Sequence, residues 1–225
     1  MKRLALPLTI CCLVATNTLT SCQQDAYDKG EGSYSLMRAD LVEAHTVADS
    51  YVDYIITDDG EQLRLDTPQK YSWVKKPDTL YRAVFYYAKK DDRTITTISA
   101  SRLNVASIVP ADSLEKGMKT DPVRLESIWL SKSRRYLNIG LYLKTGQPDD
   151  KDAVHQLAIV YDSLQQHADG RRTLFVSLHH DQGSMPQYYS QRTYFSIALS
   201  KVEADSLQLK MNTFEGITSR IFPLH

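Results

Sequence analysis

Four places in the chain bring together residue types able to do chemistry. Ser113-Leu114-Glu115-Lys116 and Lys144-Thr145-Gly146 have the S-x-x-K and K-T-G form in which penicillin-binding proteins let a lysine activate a serine while a strand-borne lysine contacts the substrate. Only about thirty residues separate the two, which leaves no room for the helical domain that belongs between them, and the S-D-N element is absent. His179-His180-Asp181 has the composition of a metal site or a triad. Adjacent strand residues point to opposite faces, so neighbouring histidines cannot both reach one ion without a bulge, and no G-x-S-x-G or H-E-x-x-H accompanies them. The expectation is a strand end with one histidine outward and one packed. Asp149, Asp150 and Asp152 offer oxygens for calcium but lack the D-x-D-x-D-G spacing and a terminal bidentate glutamate, and read as a solvated turn. Asp58 and Asp59 likewise read as turn residues. No catalytic residue, no metal ligand and no cofactor is expected.

The fourth place is Cys22, whose neighbours specify a reaction. Lys2 and Arg3 precede a mostly apolar run from Leu4 to Val14, far short of the roughly 18 residues that span a bilayer. That pattern is a secretory signal peptide, covering residues 1–21. It closes on Leu19-Thr20-Ser21-Cys22, which resembles a bacterial lipobox: a branched apolar residue, two small ones and a cysteine where the mature chain would begin. The Cys22 thiol would then carry a diacylglyceryl group. Each buried lipid methylene contributes about 0.8 kcal/mol, so several acyl chains on one cysteine tether a domain durably. The expected location is the cell envelope, exported and lipid-anchored at the outer membrane on its periplasmic or cell-surface face, with the membrane as first partner.

Composition removes other classes. After residues 1–21 the chain keeps 204 residues, with 25 basic against 27 acidic side chains. Nucleic-acid binding needs a concentrated basic footprint, so no nucleic acid is expected as a partner. Cys11 and Cys12 leave with the signal segment and Cys22 is consumed by lipid. That excludes a disulfide framework, a cysteine nucleophile and thiolate metal sites together.

The elements that must position any site are strands. Residues 22–33 read as a flexible spacer after the lipidated cysteine. Tyr34 to Ala44, Tyr51 to Thr57, Gln62 to Leu65, Leu80 to Lys89 and Thr94 to Val109 alternate in the strand period, with Asp58-Asp59-Gly60 as a hairpin turn. Five strands in residues 34–110 suit a small closed barrel of OB type. Residues 111–122, with Pro110 and Pro122 at the ends and Gly117 inside, read as a linker. Residues 123–225 hold about seven more strands, among them Leu137, Ile139, Leu141 and Leu143 on one face, and Asp169-Gly170 marks another hairpin. The fold class is all-β: an N-terminal five-stranded OB-like barrel followed by a C-terminal antiparallel β-sandwich.

In the first domain the longest excursion between strands, residues 68–78, carries Tyr71, Trp73, Lys75 and Lys76. On an extended backbone Tyr71 and Trp73 face one way. Side by side they would stack on a sugar ring or an apolar patch, with Lys75 or Lys76 pairing an anion, which makes these four the ligand-binding candidates. The alternative is that both rings plug the end of the barrel.

The chain resembles the NigD-like lipoproteins of Bacteroides and Prevotella relatives, through TDDGEQLRL, DPVRLESIWLSKSRRYLNIGLYL, VHQLAIVYD and LFVSLHHDQGSMPQYYSQRTYFSIAL. The resemblance implies an N-terminal OB-type barrel and a C-terminal β-sandwich, as the strand count does, and its name suggests bacteriocin immunity. The expectation is a lipid-anchored envelope protein acting as a non-catalytic binding or assembly module, with an envelope protein or glycan as ligand. The alternatives are an immunity lipoprotein sequestering a toxin at the membrane, or a hydrolase with an unrecognised site.

Overall fold

The computed structural model describes residues 36–150 and 153–224; the signal segment, Cys22, the spacer and Asp152 lie outside the described residues. The first five strands are β1 (Arg38–Thr46), β2 (Tyr51–Thr57), β3 (Gln62–Lys70), β4 (Thr79–Lys89) and β5 (Thr94–Arg102). They close into a barrel in the order β1-β2-β3-β5-β4, sealed by β1 against β4 and by a short parallel pairing of β3 with β5 at Arg64–Leu65. Alternation fills it: Val42, Ala44, Val52, Ile55, Leu63, Ala83, Phe85, Tyr87 and Ile95 point inward and are fully buried or nearly so. Each of the larger side chains among them contributes about 1.5–3 kcal/mol. The β2–β3 turn is tight because Gly60 supplies a φ of +88°.

The remaining strands are β6 (Asn104–Ala106), β7 (Ile108–Val109), β8 (Arg124–Leu130), β9 (Tyr136–Thr145), β10 (Gln156–Gln166), β11 (Arg172–Asp181), β12 (Tyr189–Ala198), β13 (Ser206–Thr213) and β14 (Gly216–Pro223). They form a sandwich of two sheets, β14-β13-β11-β10-β7 and β6-β12-β9-β8. Leu137, Ile139 and Leu141 of β9 pack with Ile159, Val176, Ile197, Leu207 and Leu209 in its core. Hairpin-connected pairs are antiparallel, whereas β6 joins β12, β7 joins β10 and β13 joins β11 in parallel. The β11–β13 case follows from topology: β12, between them in sequence, lies in the other sheet, so the chain returns after a crossover.

The run Thr94–Val109, expected as one strand of the barrel, is three. β5 ends at Arg102, and β6 and β7 pair with β12 and β10 of the sandwich. Leu103 alone separates the two domains; it is buried, and its N–H donates to the Arg82 carbonyl oxygen at 2.9 Å. The expected linker at residues 111–122 therefore connects two sandwich strands, β7 and β8, and lies within the second domain. Pro110, Gly117 and Pro122 break a strand there, but breakers do not show which sheet the flanking strands join.

Candidate functional site

A single-residue join leaves the relative position of the domains to side chains at their contact. Period-two alternation puts Glu43 on β1 and Arg82 on β4 directly opposite each other on the outer face of the barrel. The same period puts Tyr136, Asn138 and Gly140 on the face of β9 turned away from the sandwich core, with Ser196 opposite Asn138. These faces meet. The Arg82 guanidinium, its side chain 2% exposed, holds both Asp58 carboxylate oxygens at 2.7 Å. Arg82 also donates from Nη2 to Asn138 Oδ1 at 3.0 Å and from Nε to Ser196 Oγ at 3.2 Å. Asn138 Nδ2 donates to Asp58 Oδ2 at 2.8 Å, and Ser196 Oγ donates to Asn138 Oδ1 at 2.7 Å, closing the network.

The Tyr136 ring lies against the guanidinium, 4.1 Å from its centre, and the Tyr136 hydroxyl donates to Glu43 at 2.7 Å. Burial first, and then the Glu43 carboxylate, push that hydroxyl's pKa up to about 12. Arg135 pairs with Glu43, and the Ser133 N–H donates to the Asp58 carbonyl oxygen. Asp58, expected to be a turn residue, does shape the turn, and its side chain is the acceptor at the centre of the domain contact. A mid-strand arginine in an apolar alternation was the signal for it; turn propensity masked the partner.

Beside this clamp the domains leave a cleft of about 630 Å³. Its barrel wall carries Arg38, Asp40, Asp59, Glu61, Tyr86 and Tyr87; its sandwich wall carries Trp129, Arg192 and Tyr194. Tyr194 is seated by a glycine. A Cβ on Gly140 would lie 2.6 Å from Tyr194 Cε1 and 2.8 Å from Ser127 Oγ, so the ring is laid directly on the β9 backbone. Trp129 stands edge-on to it, 79° between planes. Burial, with the Glu126 carboxylate beside it, raises the pKa of the Tyr194 hydroxyl. Burial, then the hydrogen bond to Asp40, raises that of Tyr87 further. Among the described residues no histidine, serine or cysteine lines the cleft.

The candidates named from sequence fall elsewhere. Tyr71 and Trp73 do not lie side by side: a turn at residues 71–74, with the Val74 N–H on the Tyr71 carbonyl oxygen, folds the rings onto each other at 4.9 Å and 19°. Tyr71 also meets Phe85 edge-on, and both rings pack on the barrel core. The Lys75 and Lys76 side chains are exposed, while their backbone N–H groups donate to the Tyr81 hydroxyl. Ser113 donates its hydroxyl proton to the Pro110 carbonyl oxygen at 2.6 Å, not to a lysine.

His179 and His180 are both packed, because both faces of β11 are covered at its end. His179 Nδ1 accepts the Lys119 N–H, and His180 Nδ1 donates to the Asp121 carbonyl oxygen. The latter fixes His180 Nε2 as acceptor for His155 Nδ1 at 3.0 Å. Burial first, then the neighbouring His180, lowers the His155 pKa; burial likewise lowers that of His179. Among the described residues no three His, Cys, Asp or Glu converge as metal ligands.

An OB-ordered barrel docked through buried side chains onto a mixed β-sandwich defines a two-domain β protein with an aromatic and ionic cleft beside the contact. The NigD-like C-terminal beta sandwich domain matches residues 105–224, more than half of the chain, and the chain belongs to the NigD-like family. That match begins at β6, where the structure begins the sandwich. Among solved structures, the chain is similar to a NigD-like immunity protein from Bacteroides caccae, 26% identical over 82% of this chain and 91% of that one, with a TM-score of 0.63. It shares its fold with a putative toxin related protein from Parabacteroides distasonis (19% identity, 83% and 92% covered, TM-score 0.63). A putative lipoprotein from Bacteroides fragilis is more distant (10% identity, 83% and 96% covered, TM-score 0.57). No curated protein matches the chain.

Proposed function

We propose that this chain is a lipid-anchored envelope protein that binds its ligand without converting it, in the cleft between barrel and sandwich. The observation that carries the reading is the clamp itself. Arg82, Asp58, Asn138 and Ser196 fix two domains joined by one residue, so the cleft walls keep one spacing, and a preformed cleft avoids ordering cost on binding. Among the described lining residues the one hydroxyl–carboxylate contact, Tyr87 on Asp40, sits on a phenol that burial and the carboxylate hold in its protonated form, which favours binding over covalent catalysis. Anchoring is supported by the Leu19–Cys22 motif and agrees with a relative described as a putative lipoprotein.

Two measurements test this. Metabolic fatty-acid labelling should mark the wild type and not Cys22→Ala; equal labelling of both refutes the anchor. A photoreactive residue in place of Tyr86 should give adducts in intact cells, and one in place of exposed Tyr188, outside the cleft, should not. Equal adducts from both positions, or none from position 86, refute the cleft.

The relative from Bacteroides caccae, described as an immunity protein, favours a second reading in which the ligand is a toxin held at the membrane. Deleting the gene should then sensitise cells to a producer strain; unchanged survival removes that reading.

A further inference from the structure

The charges of the cleft cancel. Asp58 is held by Arg82, Asp59 by Lys132, Glu61 by Lys89, and Arg192 by Glu126. Arg38 and Asp40 both act on the Tyr87 hydroxyl, with opposite effect on its proton. Five cations thus stand with five carboxylates around the cleft. A charged ligand that took Asp58, Asp59, Glu61 or Arg192 as its counterion would have to break that ion pair and leave the displaced partner behind, and the equal count of cations and carboxylates gives the cleft no net attraction for either sign.

Hydrogen-bonding capacity is not consumed in the same way. A carboxylate offers about four lone-pair sites and a guanidinium five N–H donors, so a group holding one partner keeps most of its capacity. Asp59, Glu61 and Arg192 are all partly exposed, and each keeps this spare capacity beside its ion-pair partner.

The apolar part is equally ordered. The Gly140 seat fixes the Tyr194 ring, Trp129 stands across it, and Tyr86 faces them from the barrel wall with about a third of its surface open. Aromatic faces are electron-rich. They attract the C–H face of a pyranose ring, whose hydroxyl rim in turn needs donors and acceptors in the ring plane. A volume of about 630 Å³ holds a short oligosaccharide.

We infer that the cleft binds a neutral oligosaccharide, with sugar rings against Trp129 and Tyr194 and hydroxyls on Asp59, Glu61 and Arg192. This rests on the cleft being the binding site. The chain has two tryptophans, so in Trp73→Phe, which keeps a ring in the barrel lid, Trp129 is the only one left to report. The lipidated protein, in a zwitterionic detergent free of sugar, is titrated with the tetrasaccharides of cellulose, starch, xylan and mannan, and with oligogalacturonate and oligolysine as charged probes. A saturable shift of Trp129 emission is expected with at least one neutral probe and with neither charged one. By calorimetry Trp129→Ala, at a temperature where its melting curve shows it folded, should weaken that binding at least tenfold.

Binding that survives Trp129→Ala overturns the inference, as does the absence of binding by every neutral probe. A shift with a charged probe alone overturns it too, but leaves the cleft as a binding site. Silence from every probe, together with no adduct at position 86, sinks both readings.

Discussion

Asp58→Ala tests whether the two domains are one cooperative unit. The substitution removes both oxygens that the Arg82 guanidinium grips at 2.7 Å. It leaves a cation 2% exposed against Asn138, Ser196 and the Tyr136 ring, with the carboxylate opposite it in register, Glu43, already paired with Arg135. Breaking a buried pair by deleting one partner costs about 3–5 kcal/mol, because the remaining charge stays buried and uncompensated. Against a typical total of about 5–15 kcal/mol this is a large share. With a urea slope of about 2 kcal/mol/M, the midpoint should fall by about 2 M.

Trp73 reports the barrel and Trp129 the sandwich, so fluorescence in Trp73→Phe and Trp129→Phe backgrounds follows each domain separately. In the parent both domains should unfold together; in Asp58→Ala they should part. Adding Arg82→Met removes the stranded charge and should recover most of the loss. A single variant within about 0.5 kcal/mol of the parent, the range of ordinary surface substitutions, would refute the clamp. So would a double variant no more stable than the single.

Trp73→Ala should cost about 3 kcal/mol, measured by denaturation, since it uncovers Tyr71 and opens the lid of the barrel core; a loss under about 1 kcal/mol would return the ring to the surface. Limited trypsin should cut at exposed Lys116 in the loop between β7 and β8, and the nicked protein should stay in one piece on gel filtration, because both flanking strands belong to the sandwich.

Burial opposes protonation of His45, but its hydrogen bonds to Asp53 and Asp78 and their charges outweigh it and raise its pKa. Its stabilisation is therefore complete below the unfolded value of about 6.5 and is lost as pH rises through the folded value. His45→Gln should destabilise more at pH 5.5 than at pH 8.5, read by thermal melting. His155 and His179 act in the opposite sense: their lowered values give stability above about 6.5 that is lost as pH falls, so His155→Gln should reduce the acid sensitivity of the sandwich transition.

The strands were legible in the sequence because a strand's burial pattern is local. Tyr81, Ala83, Phe85 and Tyr87 line the barrel, and Leu137, Ile139, Leu141 and Leu143 line the sandwich, as their period-two spacing requires. Five strands before Leu103 and seven after Pro122 followed from the same rule. What the period could not give was the sheet each strand joins. Asn104 to Val109 carries the same alternation as β5, yet pairs with β10 and β12 of the sandwich, and pairing is settled by contacts about fifty to ninety residues away.

The site was hidden for the same reason. Asp58 reads as a turn residue, Arg82 as a strand charge, Asn138 and Gly140 as the solvent side of β9, and each reading is locally correct. Only docking the barrel on that outer face turns Asp58 and Arg82 into a buried pair, makes Gly140 the seat of Tyr194, and forms a cleft from residues up to 156 positions apart. Local backbone geometry is written in neighbouring residues; a surface shared by two domains is written in none of them singly, because desolvation of one side exists only when the other arrives.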